Sequence, residues 1–177
     1  MVDNVMDKFS LDSSCTDTKV TEKYLAQFPV TLRRCLENND ERRDFEKEIF
    51  TEYKDVPVYR AVKNPDEISG ADFLGNAEKY DLDGTKYSAR WARNHKNHSV
   101  SVNENADELI ITTKFPNSHI KGIAKGYMRC QYGPADFKQG KTHHNWYLFK
   151  GKNETVCKEF AIDTEITKRA AEEKTAK

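Results

Sequence analysis

Apolar residues recur at helical spacing over residues 20–36, at Val20, Tyr24, Leu25, Phe28, Leu32 and Leu36, and Pro29 interrupts the run. The pattern predicts a helix that ends near Phe28 and restarts over 30–36. Asn38-Asn39-Asp40 breaks it, with Asp40 in the N-cap role. Phe45, Ile49, Phe50 and Tyr53 then line one face of an amphipathic helix over 41–53. Past Pro57 the period shortens to two. Val58-Tyr59-Arg60-Ala61-Val62 reads as a strand rich in β formers, with Arg60 on the side of the two valines. Phe73, Leu74, Ala77 and Tyr80 mark a short helix over 71–80, and Ser99-Val100-Ser101-Val102 alternates as a strand. Residues 88–95 fit either a helical turn carrying Trp91 or a loop. Asn105 suits a helix N-cap, whereas Ile110-Ile111-Thr112-Thr113 favours a strand, so that segment stays open. Residues 119–129 alternate with glycines where a backbone or ligand comes close, residues 144–150 form the strongest strand, and residues 156–174 form a closing helix.

Helices first, then short strands with helical inserts, then a helix describe an α+β fold with a small, mostly antiparallel sheet. The expected organisation is a flexible tail over 1–18, a helical arm over 19–55 and an α+β domain over 56–177. The arm offers a surface for a partner or a homodimer.

Charge changes this picture through its placement. Lysine plus arginine and aspartate plus glutamate stand at 29 each, yet residues 86–152 hold twelve basic residues against four acidic ones, and all five histidines. A chain segregated in this way can present a positive face at zero net charge. The other half carries the compensating acids and could fold back to neutralise it. Aromatic residues, 11% of the chain, supply the means for a core despite a charged fraction of 33%. The four cysteines are widely spaced, with no Cys-x-x-Cys pair, and the N-terminus has no signal-peptide pattern. Together with the absence of an apolar run long enough to span a bilayer, this reads as a cytoplasmic protein with reduced thiols and no membrane partner.

The densest candidate chemistry is the stretch from Thr85 to Asn103. Lys86, Arg90, Arg93 and Lys96 occur there without a carboxylate, interleaved with Tyr87, Trp91, His95 and His98, and followed by Ser99 and Ser101. Cations contact phosphates and exposed aromatic rings stack on bases, so Arg60, Lys86, Arg90, Trp91, Arg93, Lys96, Ser99 and Ser101 form the expected ligand-binding set. His98, His144 and Arg60 are the catalytic candidates: an imidazole near cations could move a proton while the cations hold an anionic transition state. Neither a P-loop nor a zinc-protease motif is present, and no metal or cofactor is expected.

Two resemblances accompany these residues. Tyr59-Arg60 on one strand and Ser99-Val100-Ser101 on a later one resemble the opening of the arginine–serine–glutamate ADP-ribosyltransferases, which implies a strand pair cradling NAD. No Glu-x-Glu follows, and Glu104 and Glu108 come too soon after the serines. Over residues 56–160, VYRAV, SVSVN, IAKGYMRC and HHNWYLFKGKN are similar to small uncharacterised bacterial or phage proteins, which implies a single domain and no particular reaction. Two classes of function follow. The first is a module binding a nucleic acid, a nucleotide or an acidic protein through the basic face. The alternative is a small enzyme acting on a nucleotide or phosphodiester, such as an ADP-ribosyltransferase-like protein.

Overall fold

A computed structural model describes residues 20–116, 119–138 and 140–175; the tail expected over 1–18 lies outside them. The fold is α+β. Pro29 divides the first helical run into α1 (Glu22–Leu25) and α2 (Val30–Cys35). Helix α3 (Asn39–Glu48) is capped by Asn38, whose carboxamide accepts from the amides of Asp40 and Glu41; Asp40, expected as the cap, lies inside the first turn. This helix ends five residues earlier than its apolar face suggested, because Ile49–Phe50 extends as strand β1. Strand β2 (Val56–Val62) follows, and then a 3-10 turn at Gly70–Phe73. Helix α4 (Asn76–Asp83) stops at Gly84, whose φ of 67° suits a residue without a side chain. Helix α5 (Ala89–Ala92) and a 3-10 turn at His95–His98 occupy the segment left undecided between helix and loop.

Strand β3 (Val100–Asn103) leads into α6 (Ala106–Thr113). Here the Asn105 cap prevails over the β-branched run, since its side chain satisfies the amides of Asp107 and Glu108. Strands β4 (Gly122–Met128), β5 (Ala135–Asp136) and β6 (His143–Trp146) come next. The closing helix expected over 156–174 is interrupted. It becomes α7 (Asn153–Val156), a 3-10 turn, strand β7 (Ala161–Ile162) and α8 (Thr164–Thr175). Phe160 causes the interruption: its ring packs on that of Phe73 with centroids 4.7 Å apart and lies where a Cβ on Gly126 would stand. Asp163 then restarts the helix by accepting from the Ile166 amide.

Among the described residues one sheet runs β1-β5-β6-β3-β2-β4-β7, antiparallel throughout. Both outer strands have only two residues. Strands β2 and β4 stay in register over seven pairs, from Val56↔Met128 to Val62↔Gly122. Strands β2 and β3 share the single pair Tyr59↔Asn103 and otherwise diverge.

The two-residue period assigns the faces. Val56, Val58, Val62, Val100, Val102, Met128 and Trp146 build a core with Phe73, Val156 and Phe160. On the other face Leu109 of α6, Phe115 just past its end and Ala170 of α8 cover Tyr59, Ala61 and Ile123. Farther along that face, Phe28 and Phe45 close over Tyr147. Each of these three rings is fully buried, and burying one stabilises the fold by about 1.5–3 kcal/mol. The segment expected as an arm is therefore seated on its own sheet and contributes an edge strand. Its buried residues Phe28, Leu32, Leu36 and Phe45 pack within the chain rather than facing outward.

Candidate functional site

The basic stretch divides into two electrostatic settings. At its far end the 3-10 turn docks His95 and Lys96 against α3. His95 Nδ1 lies 2.8 Å from Glu41 Oε2, its Nε2 lies 3.2 Å from Glu48 Oε2, and its ring meets Phe45 edge-on. Lys96 Nζ donates to Glu48 Oε1 at 3.0 Å. Burial alone would raise the Glu48 carboxyl, but the hydrogen bonds from Lys96 and His95 hold it below its ordinary value. The fold-back of acids onto bases thus happens here, and Lys96 is an ion-paired residue.

The near end is different. Lys86, Arg90 and Arg93 are exposed and have no carboxylate partner among the described residues, and neither does Arg34 of α2. Between these cations Tyr80, Tyr87 and Trp91 form a ring cluster, with centroids 4.9 to 6.0 Å apart. None of the three is buried.

Beside the rings is a cleft of about 150 Å³. Thr31, Arg34 and Cys35 enter it from α2, Asp81 from α4, and Tyr87, Ala92, Arg93 and His98 from the stretch itself. The Cys35 thiol donates to Arg93 O at 3.1 Å and joins the two walls; burial, and then the Glu41 charge, push it up to about 12. Tyr87 Oη donates to Asp81 Oδ1 at 2.6 Å. His98 is 6% exposed, and its Nε2 lies 2.8 Å from Ala92 O. A carbonyl only accepts, so Nε2 carries the proton and Nδ1 a lone pair. Burial also holds this imidazole below its usual value, so it is neutral at pH 7. His98 Nδ1 and Thr31 Oγ1 are both buried without a hydrogen-bond partner among the described residues. Unmatched buried polar atoms cost free energy, and two lining one cleft mark a place where a polar guest has partners waiting.

The other sequence candidates have structural attachments. Arg60 donates to Asp72 O from Nε at 3.0 Å and from Nη2 at 2.9 Å, and to Ser101 O from Nη1 at 2.6 Å. It closes the gap where β2 and β3 diverge, and burial lowers its guanidinium to about 10. The arginine and serine of the transferase resemblance therefore do meet, but through a backbone carbonyl. Ser101 Oγ faces away and is hydrogen-bonded to His143 Nε2. Ser99 Oγ lies 2.8 Å from Lys96 O and 2.9 Å from Asn145 Oδ1. His144, 1% exposed, places Nδ1 3.0 Å from Asp136 O and Nε2 2.8 Å from Glu104 Oε1. Arg60, His98, Ser99 and His144 do not converge on the cleft; of these four only His98 lines it.

Sequence reasoning missed Thr31, Arg34, Cys35 and Asp81. The first three share one face of α2 by their i, i+3, i+4 spacing, but nothing in the sequence ties that face to Arg93. It also missed Lys79, which burial and then the Arg60 charge bring down to about 7. A larger groove of about 460 Å³ lies along β7 and is lined by Glu159, Asp163 and Glu165. Those acids have structural partners in Arg129, Tyr132 and the first turn of α8, or lie exposed, and Lys125, the one cation in the lining, sits over the Tyr59 ring at 5.6 Å, so the groove carries more acid than base. Among the described residues, no group of three or more His, Cys, Asp or Glu could hold a metal, and no helix is long and apolar enough to cross a membrane. Comparison of the chain with protein-family models, curated proteins and solved structures gives no match.

Proposed function

We propose that this protein is a binding module for single-stranded nucleic acid, engaged through Arg34, Lys86, Arg90 and Arg93 around the Tyr80–Tyr87–Trp91 cluster. The observation that carries the reading is the juxtaposition of four cations without carboxylate partners among the described residues and three rings that are not buried. Cations alone would suit any polyanion. Rings beside them add a surface on which unpaired bases stack, worth about 1–3 kcal/mol per base. A duplex keeps its bases inside and cannot use those rings. The enzymatic alternative has less support, since Arg60 and His144 are held by structural hydrogen bonds.

Fluorescence polarisation with a labelled single-stranded oligonucleotide and its duplex, at two salt concentrations, tests this. The single strand is expected to bind more tightly, with log affinity falling against log salt at about −0.7 per phosphate neutralised, hence near −3 for four cations. Trp91→Ala should lower affinity about tenfold or more. Salt-insensitive binding, or equal binding of duplex and single strand, overturns the reading.

A further inference from the structure

The cleft beside the rings, at about 150 Å³, is well below the volume of a drug-sized pocket. It is several times the roughly 30 Å³ of one water molecule, which suits a tetrahedral oxyanion. Arg34 and Arg93 flank it from opposite walls, and Asp81 is the single carboxylate among the described residues that line it. Two arginines against one carboxylate leave a positive balance there.

The unused atoms narrow the chemistry. With its proton on Nε2, His98 offers a lone pair at Nδ1, and the Thr31 hydroxyl can donate or accept. An oxyanion with no proton would set its own lone pairs against Nδ1. A phosphate monoester has a second ionisation near pH 6, so it can present a P–OH to that nitrogen, or receive a proton from the imidazolium in the reverse arrangement. A phosphodiester has no such proton, and its chain must leave the cleft on two sides.

We propose that this cleft seats the terminal phosphate monoester of a nucleotide chain, held by Arg34 and Arg93 with one proton shared between the phosphate and His98 Nδ1. The inference rests on the single-strand reading above and adds recognition of the strand end. The bound state holds one proton more than the separated dianion and neutral imidazole, and solvent supplies it. Around His98, Asp81 from α4 and Glu41 from α3 favour the protonated ring, whereas burial and His95 in its own turn oppose it. The two cleft arginines also oppose it until the phosphate arrives. The Cys35 thiol and Tyr87 phenol are both raised and remain neutral over the pH range of interest. Because the added proton has to be drawn from solvent, affinity for the terminal phosphate should fall as pH rises above both free values, by up to tenfold per pH unit.

The test uses the full chain and 3′-labelled single strands of identical sequence bearing a 5′-phosphate, a 3′-phosphate or no terminal phosphate, at pH 6.5 and 8. Thymidine 5′-monophosphate and inorganic phosphate serve as competitors. A phosphorylated end is expected to bind about tenfold more tightly at pH 6.5, with most of the advantage lost at pH 8. Competition by the mononucleotide at matching concentrations would assign the seat to free nucleotides as well as strand ends. His98→Gln keeps a donor for Ala92 O and removes Nδ1, so it should abolish both the advantage and its pH dependence. Thr31→Val preserves shape and should reduce the advantage severalfold. Equal binding of all three strands at pH 6.5, with salt-dependent affinity intact, overturns the phosphate seat alone. A pH-independent advantage overturns the shared proton. Binding of none of the strands overturns the wider reading instead.

Discussion

His95 and His98 stand three residues apart in one 3-10 turn and have opposite surroundings. His95 is enclosed by Glu41 and Glu48 with both ring nitrogens engaged, while His98 has one nitrogen engaged and one unmatched at a cleft between arginines. The same division runs through the cations. Lys96 is paired with Glu48 and Arg60 is bonded to backbone carbonyls, while Arg34, Lys86, Arg90 and Arg93 have no carboxylate partner among the described residues. Helix α3 makes the difference, because its carboxylates reach one end of the basic stretch and not the other. Clustered charge in a sequence identifies a reservoir of cations, and packing decides which of them remain available to a partner.

The comparison can be broken most forcefully at its committed side. Arg60→Met removes three hydrogen bonds to Asp72 O and Ser101 O and leaves Asp72 O with only the long contact from Lys79 Nζ at 3.5 Å, so unfolding by urea should show a loss of about 2–4 kcal/mol. The salt dependence of binding should be unaltered; a reduced slope would move Arg60 to the ligand-bearing set. Glu48→Gln is a smaller perturbation. Glu48 is about one-third exposed, and losing its charge should cost about 1 kcal/mol or less while releasing Lys96, which steepens the salt slope by up to about one phosphate.

The Glu48 change also has a pH signature. The folded carboxyl lies below its ordinary 4.5, so its stabilising contribution is complete above that value and disappears as pH falls through the lowered one. Acid titration of stability should lose that component in Glu48→Gln, and an unchanged acid limb would remove Glu48 from the account. The mildest change is Arg90→Ala. Stability should move by no more than about 0.5 kcal/mol, and the salt slope should shrink by about 0.7.

Much of the scaffold was legible because its signals are local. The alternation around Val58 and Val62 and the Pro29 break each depend on neighbouring residues, and each produced its element, whereas after Asn105 the cap and the β-branched run leave helix and strand both open. Where an element was misjudged, a distant partner overruled the local pattern. Ile49–Phe50 belongs to a helical face by spacing and is drawn into the sheet by β5. The closing helix yields at Phe160 to the space above Gly126. The cleft was legible on one wall only. Arg93 and His98 come from a stretch that stands out by charge, whereas Thr31 and Arg34 come from an ordinary amphipathic helix whose polar face acquires meaning once Cys35 meets Arg93 O.

The brevity of β1 and β7 has a consequence for how this molecule behaves in a crowd. Among the described residues each flank of the sheet ends in a two-residue strand, so the outermost row of amides and carbonyls that a neighbouring copy could extend is short. Growth into fibrils by strand addition would start from two-residue edges, which slows self-association through the β-structure at high concentration.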